Sequence, residues 1–132
     1  MSQENVAVIR EVYEAFGRGD VPSVLGQMDQ NIEWREAENF IYADRNPYVG
    51  PQAILEGVFM RLGTEWNDFR VTPEEWLDAG NHVVVLGTYS GTHKESGREV
   101  RAQFAHVWGV HGGRVVRFQQ YTDTKQFADA VA

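Results

Sequence analysis

The chain has no cysteine among its 132 residues. That excludes a disulfide framework, thiol chemistry and any cysteine-based metal site. It also lacks a basic cluster, and its formal net charge is −7. Nucleic acid and anionic membrane are therefore not expected partners. No apolar run approaches the ~20 residues of a membrane span. The start, Met1-Ser-Gln-Glu-Asn, has no basic region followed by an apolar run, so no signal peptide is visible and a cytoplasmic protein is expected. Repeats, linkers and low-complexity segments are missing too. What remains is ordinary for a globular protein, with 42% hydrophobic and 23% charged residues. The length predicts one domain, 1–132, large enough for a real core.

The most informative stretch runs from Arg98 to Asp123. Val100, Ala102, Phe104, His106, Trp108 and Val110 alternate with Glu99, Arg101, Gln103, Ala105, Val107 and Gly109. A period of two is a half-buried strand. Its apolar face is broken at one place, His106. The strand turns at His111-Gly112-Gly113. A two-residue Gly-Gly loop would pair His106 with Gln119 and send Phe118 to the polar face. A three-residue loop with a left-handed Gly113 pairs His106 with Phe118 and Trp108 with Val116. A one-residue slip inverts every side chain, so the apolar pattern selects the three-residue loop. Gln120 is then diagonal to His106 on the same face.

Helices are predicted first along the chain. Ser2 can cap a helix over 3–17 with Val6, Ile9, Val12, Tyr13 and Phe16 on one face. Asp20 caps a second helix over 21–29, with Pro22 in its first turn and Leu25 and Met28 as its apolar residues. Residues 31–37 read as a strand with Ile32, Trp34 and Glu36 on one side. Asn39 to Val49 reads as a loop or lid. Gly50-Pro51 starts a third helix over 51–65, with Ile54, Leu55, Val58, Phe59, Leu62 and Trp66 as its stripe, unless Gly63 ends it early. Strands from about 69 to 122 then form a bent antiparallel sheet, with a possible break at Pro73. A two-residue loop at Ser96-Gly97 pairs Glu95 with Arg98, Tyr89 with Phe104 and Gly87 with His106. Glycine there leaves volume above the imidazole. Asp123 caps a C-terminal helix, with Gln126 in capping-box spacing.

Segregated helices on one face of a bent antiparallel sheet make an α+β layout. Particular residues sharpen this: Tyr13-Glu-Ala-Phe-Gly-Arg-Gly-Asp20, Asn31-Ile-Glu-Trp34, Gly50-Pro-Gln-Ala-Ile54, Phe104-Ala-His-Val-Trp108, Gly113-Arg-Val and Tyr121-Thr-Asp123. Through them nearly the whole chain resembles a SnoaL-like member of the NTF2-like superfamily. That superfamily has a cone-shaped fold and includes ketosteroid isomerases, polyketide cyclases and limonene epoxide hydrolases. The resemblance implies a bent sheet wrapped around three helices of the N-terminal half. It does not transfer one chemistry, because such a fold hosts many. The carboxylate base of ketosteroid isomerases would fall at Trp34, their tyrosine at Val12 and their protonated acid at His106. Tyr13 is one residue off, roughly 100° around the helix. The charged Asp-Arg-Asp set of limonene epoxide hydrolases would fall at Tyr89, Gly87 and Gln120, where no charge is present. No inward aspartate marks the base of a polyketide cyclase.

Each candidate site residue has a functional and a structural reading. His106 is either a proton-transfer or hydrogen-bonding group, or a core histidine bonded to Gln120 or a backbone carbonyl. As a site residue it would be a buried, neutral imidazole able to donate to a carbonyl oxygen. Glu36 is either an inward carboxyl with a raised pKa, fit to be a base, or a solvated strand-end acid. Trp34, Tyr89, Phe104, Trp108, Phe118 and Gln120, with Phe16 and Phe59 from the helices, either line a pocket for a small apolar or aromatic ligand or fill a solid core. Asp123 is better explained as a cap than as an acid. His82, His93 and His111 are expected to be solvated, and the four histidines do not converge, so no metal and no cofactor is expected. Two function classes follow. One is an isomerase, cyclase or hydratase of an apolar carbonyl compound. The other is a non-catalytic binding or structural module that holds a small hydrophobic ligand. On the outer face, Gln103, Ala105, Val107, Gln119 and Tyr121 form a patch with little charge, which together with the resemblance predicts a homodimer.

Overall fold

Long runs of alternating side chains build the sheet, and the helices close it. The computed structural model describes residues 2–132. Its strands are β1 (Met28–Arg35), β2 (Tyr48–Val49), β3 (Trp66–Ala79), β4 (His82–His93), β5 (Glu99–His111) and β6 (Arg114–Thr122). They form one sheet in the order β2-β1-β6-β5-β4-β3. Neighbours are antiparallel except β1 and β6, which run parallel. Helices α1 (Ser2–Gly17) and α2 (Val21–Gly26) precede the sheet. A continuous helical stretch, α3 (Pro51–Ile54), a π turn (Leu55–Phe59) and α4 (Met60–Glu65), leads into β3, and α5 (Thr124–Val131) follows β6. This is the expected α+β cone. Among the described residues no helix is long and apolar enough to cross a membrane.

The first helix buries Ile9, Val12, Tyr13 and Ala15; the side chain of Ser2, expected to cap it, lies outside the described residues. Asp20 caps α2, accepting from the Ser23 backbone N–H at 3.2 Å. That helix stops at Gly26 rather than near residue 29, and Val24 is its buried residue. The reason is the sheet: Met28 is already paired with Val115, and the Gln27 carbonyl accepts the Val115 N–H at 2.9 Å. The third helical stretch runs past Gly63 to Glu65, and Trp66, expected on its stripe, opens β3 instead. Pro73 bulges β3 without ending it, as an edge strand permits. Asp123 caps α5 as expected, its carboxylate accepting from the Gln126 backbone at 3.4 Å and side chain at 3.0 Å.

Both hairpins keep the expected faces but use different registers. His111 pairs with Arg114 across a two-residue turn in which Gly112 and Gly113 have φ of 58° and 77°. Two positive values mark the turn that matches strand twist. The extra residue needed to bring Phe118 inward is not in the loop. It is a bulge at Val116, between the pairs Gly109–Arg117 and Val110–Val115. His106 therefore pairs with Gln120, and Trp108 with Phe118. At the other end, Lys94 to Gly97 form a four-residue loop. It is closed by His93 N–H to Arg98 O (2.9 Å) and Gly97 N–H to His93 O (2.8 Å), with Gly97 at φ 73°. Ser96 Oγ donates to the Ala130 carbonyl and lies 3.2 Å from His93 Nδ1, which ties the loop to α5. His93, expected to be solvated, is thereby buried against Trp66. This register places Val85 opposite His106 and Gly87 opposite Phe104. The space at Gly87 is not above the imidazole. An added Cβ would sit 2.5 Å from Phe104 Cζ and 2.2 Å from the Thr72 carbonyl oxygen.

Residues 39–49, expected as a loop or lid, pack against the fold through three rings, of which only Phe40 lines the cavity described below. Phe40, Tyr42 and Tyr48 are all buried. Tyr48 pairs in the sheet with the backbone of Trp34, and its hydroxyl donates to the Tyr42 carbonyl at 2.5 Å. Its ring occupies the space a side chain at Gly57 would need, since a Cβ there would lie 2.2 Å from Tyr48 Cε1. Two glycines of one helical stretch should thus respond oppositely. Gly57→Ala should destabilise by about 1–3 kcal/mol through overpacking against a ring held by its hydrogen bond. Gly63→Ala, with nothing within 4 Å of the new Cβ, should stabilise by roughly 0.5–1 kcal/mol. Urea denaturation of both variants measures the two signs.

Candidate active site

Among the described residues four polar or charged side chains are buried, and three of them line one cavity. His106, Gln120 and Glu36 are 4%, 3% and 3% exposed. On a flat sheet Tyr89 and His106 would be remote. Tyr89 is four residues from Val85, the residue opposite His106, or about 13 Å along the strand. The bend brings their tips together, and the Tyr89 hydroxyl lies 2.5 Å from His106 Nε2. From the other side α1 delivers Tyr13, whose hydroxyl is 2.5 Å from His106 Nδ1. Both ring nitrogens are therefore engaged by phenols, neither by Gln120 nor by a backbone carbonyl. Phe104 stacks on the imidazole at 3.9 Å between centroids.

The cluster continues outward from each phenol. Trp108 Nε1 donates to the Tyr13 oxygen at 2.9 Å. Gln120 Nε2 donates to the Tyr89 oxygen at 2.9 Å, and Gln120 Oε1 accepts the Ala37 N–H at 3.1 Å. Asn46 grips the neighbouring residue through both amide atoms. It accepts from the Glu36 N–H at 3.0 Å and donates to the Glu36 carbonyl at 2.8 Å. β1 ends at Arg35, so Gln120 and Asn46 replace the lost sheet partners of residues 36 and 37.

Glu36 points inward, as its alternation with Ile32 and Trp34 indicates, and its environment differs from that of His106. Among the described residues, Glu36 Oε2 and Trp34 Nε1 are buried without a hydrogen-bond partner. Burial pushes the Glu36 carboxyl up to about 8; the nearby Trp34 N–H, which closes no hydrogen bond to it, and the Arg61 charge pull more weakly the other way. Burial drives the His106 imidazole well below its usual value, so it is neutral at pH 7. Burial raises the Tyr13 and Tyr89 phenols well above theirs. At pH 7 the neutral forms of these four groups predominate.

These groups surround a cavity. About 60 Å³ is open to the centre of a water-sized sphere, and its surface is almost wholly apolar. A water needs about 10–15 Å³ on that measure, so the space holds a few waters. Its wall contains Phe16, Trp34, Glu36, Phe59, Tyr89, His106, Trp108, Phe118 and Gln120 from the sequence-predicted set. Phe104 is not on the wall; it backs His106 instead. Tyr13, Val12, Val24, Phe40, Val58, Leu62, Phe69 and Val71 also line it. Of its lining residues, Phe16, Phe59, Leu62, Phe69 and Val71 are only half-buried, and the Phe16 and Phe59 rings meet at 5.6 Å.

Two site residues escaped the sequence reading. Tyr13 was legible as inward from the α1 stripe, but an offset of 100° from the position implied by the resemblance counted against it. A side chain that reaches 2.5 Å from an imidazole on the opposite layer overrides that offset. Asn46, in an irregular segment, carried no signal. Asp123 is a cap, and His82 and His111 are exposed, as expected.

A cone of six strands closed by helices around a small ring-lined cavity is the NTF2-like class of protein. The SnoaL-like domain family matches residues 9–118, and the chain belongs to it. An NTF2-like protein from Burkholderia thailandensis E264 is 34% identical over 96% of both chains, with a TM-score of 0.92. A second, from Burkholderia pseudomallei K96243, is 29% identical over 98% of both chains, with a TM-score of 0.88. TerC, co-crystallised with polyporic acid, is 26% identical over 97% of this chain and 98% of its own, with a TM-score of 0.86. No protein of curated function matches the chain.

The raised Glu36 pKa has a stability consequence. The folded state keeps its proton up to about pH 8, whereas the unfolded chain loses it near 4.5. Folding stability from this group is therefore full at acid pH and falls as pH rises through that window. Glu36→Gln removes the titration, so the stability of the variant should gain on wild type by roughly 3 kcal/mol between pH 5 and pH 8. Parallel urea titrations across that range measure the difference, and a constant offset would contradict a raised pKa.

Proposed function

We propose that the protein binds a small apolar carbonyl compound in the cone and moves a proton on the carbon beside its carbonyl, in the manner of an isomerase or cyclase. The observation that carries this reading is the pairing of a partnerless buried carboxyl oxygen, Glu36 Oε2, with a ring-lined cavity. An unpartnered buried polar group is costly in a folded chain and is an expected feature where a ligand is to be met. A carboxyl with a pKa of about 8 sits near the optimum for general acid–base work at neutral pH.

In the reaction the carboxylate form of Glu36 takes the α-hydrogen. The C–H electron pair moves into a C=C bond, and the carbonyl π pair moves onto oxygen. The polar cluster around His106 stands to hold that oxygen, with His106 as its centre. The oxygen pair then re-forms the carbonyl; where the substrate carries a C=C bond next to the α-carbon, its electrons shift with it, and protonated Glu36 delivers the hydrogen to the far carbon of that bond. TerC, which was co-crystallised with polyporic acid, supports a small organic ligand in this fold. The second reading is binding without turnover, and the observation in its favour is that Glu36 is mostly protonated at pH 7 and so serves as a donor before it serves as a base.

The outer face fits a homodimer. Tyr121 is 56% exposed beside half-buried Ala105, Val107 and Gln119, a surface of low charge suited to a twofold contact. Light scattering at micromolar concentration should give twice the chain mass, and Tyr121→Glu should shift it toward one.

For the chemistry, cyclopentanone is a suitable probe because it is small and enolisable. It should bind more tightly than cyclopentane and exchange its α-hydrogens in deuterated water. The exchange rate should rise with pH and pass half its maximum near 8. Glu36→Gln should lower it by about a hundredfold or more. Binding that survives with no exchange leaves the non-catalytic reading, and no preference for the ketone over the hydrocarbon sinks the carbonyl assignment.

A further inference from the structure

Counting hydrogens along the Tyr13–His106–Tyr89 chain yields an asymmetry that distances alone hide. Two links join the three rings, Tyr13 to Nδ1 and Tyr89 to Nε2. The three groups carry three hydrogens between them, one on each hydroxyl and one on an uncharged imidazole. Each link uses one hydrogen, so one is left over. The imidazole cannot hold it free, because both nitrogens face phenols. It must sit on the hydroxyl that accepts the imidazole N–H.

The surroundings do not absorb it. The other contact of the Tyr13 oxygen is Trp108 Nε1, which only donates. The other contact of the Tyr89 oxygen is Gln120 Nε2, and the Ala37 N–H on Gln120 Oε1 fixes the amide so that its NH₂ faces the phenol. Among the described residues neither hydroxyl meets an acceptor other than His106. Both tyrosines line the cavity.

We propose that Tyr13 and Tyr89 are the ligand-facing donors of the cavity, sharing through His106 one free hydroxyl hydrogen that a bound carbonyl oxygen takes from one end or the other. In one arrangement Tyr13 donates to Nδ1, Nε2–H donates to Tyr89, and Tyr89 holds the free hydrogen. In the other, every link is reversed and Tyr13 holds it. Passing between them shifts one hydrogen along each link. The phenol at one end takes a proton from cavity water and the phenol at the other returns one, so the count is conserved. His106 is then a positioning residue that acts through its two phenols. The assignment rests on the reading that the occupant presents a carbonyl oxygen, and it adds that only one such oxygen is served at a time.

The imidazole tautomer reports the position of the free hydrogen, and long-range ¹⁵N–¹H correlation spectra read it directly. The variants Tyr13→Phe and Tyr89→Phe each remove one link. A buried N–H left without an acceptor is the costlier orphan, so the proton should move to the nitrogen that keeps its phenol. Tyr13→Phe should give the Nε2–H form and Tyr89→Phe the Nδ1–H form, each favoured about tenfold or more. In wild type, saturating cyclopentanone should shift the tautomer ratio and cyclopentane should not. An imidazolium at pH 7, the same tautomer in both variants, or a ratio equal with ketone and hydrocarbon would overturn the proposal. Cyclopentanone failing to bind is a separate failure. It removes the carbonyl reading, while the opposite tautomers of the two variants still decide the shared hydrogen.

Discussion

The interior of this cone holds a line of polar groups that have only one another to bond. Trp108, Tyr13, His106, Tyr89, Gln120 and the Ala37 N–H form one unbroken chain of hydrogen bonds. Apart from the few waters its cavity can hold, it is cut off from solvent, so a group left unmatched is costly. The line also ties separate parts of the fold together: α1 to β5, β4 to β5, β6 to β4, and β6 to the segment after β1. Shifting any of these elements breaks a bond that nothing else replaces.

Rings fill the space around it. Phe104 lies against one face of the imidazole, and Trp34 stacks on Phe118 at 3.8 Å. These contacts keep the dielectric low, which is why the imidazole stays neutral and the phenols stay protonated. Glu36 keeps its carboxyl outside this chain of hydrogen bonds, and its Oε2 has no partner among the described residues. Its backbone is held at three atoms, by Asn46 at its own N–H and carbonyl and by Gln120 at the next N–H, while its carboxyl keeps a free oxygen.

Parity mattered more than register in setting the inner face. Phe118 and Gln120 had to share a side with His106, and the apolar pattern demanded one extra residue somewhere in the hairpin. A three-residue turn and a bulge at Val116 both supply it. The choice between them moves the partner of His106 from Phe118 to Gln120, and with it the position of Gln120 relative to Tyr89. The same holds at the other end, where the four-residue loop anchored to α5 puts Gly87 under Phe104 and not above His106. Small changes in where a residue is inserted thus decide which polar groups meet.

The amino-acid pattern alone determined the class of fold, the helices, the inward faces of β1, β5 and β6, and the presence of a lone histidine on an apolar strand. These are local properties: periodicity of two or 3.6, caps at Asp20 and Asp123, and glycines at turns act over a few residues and can be read in order. Only the tertiary structure decided that Tyr13 and Tyr89 take both nitrogens of His106, that Asn46 grips Glu36, that residues 39–49 bury three rings, and that His93 is buried. Each of these depends on residues far apart in the chain, up to 95 positions for Trp108 and Tyr13, and on a bend that no strand's own sequence encodes. The physical reason is that burial follows from local pattern, whereas a buried polar atom chooses its partner by where the whole sheet curves.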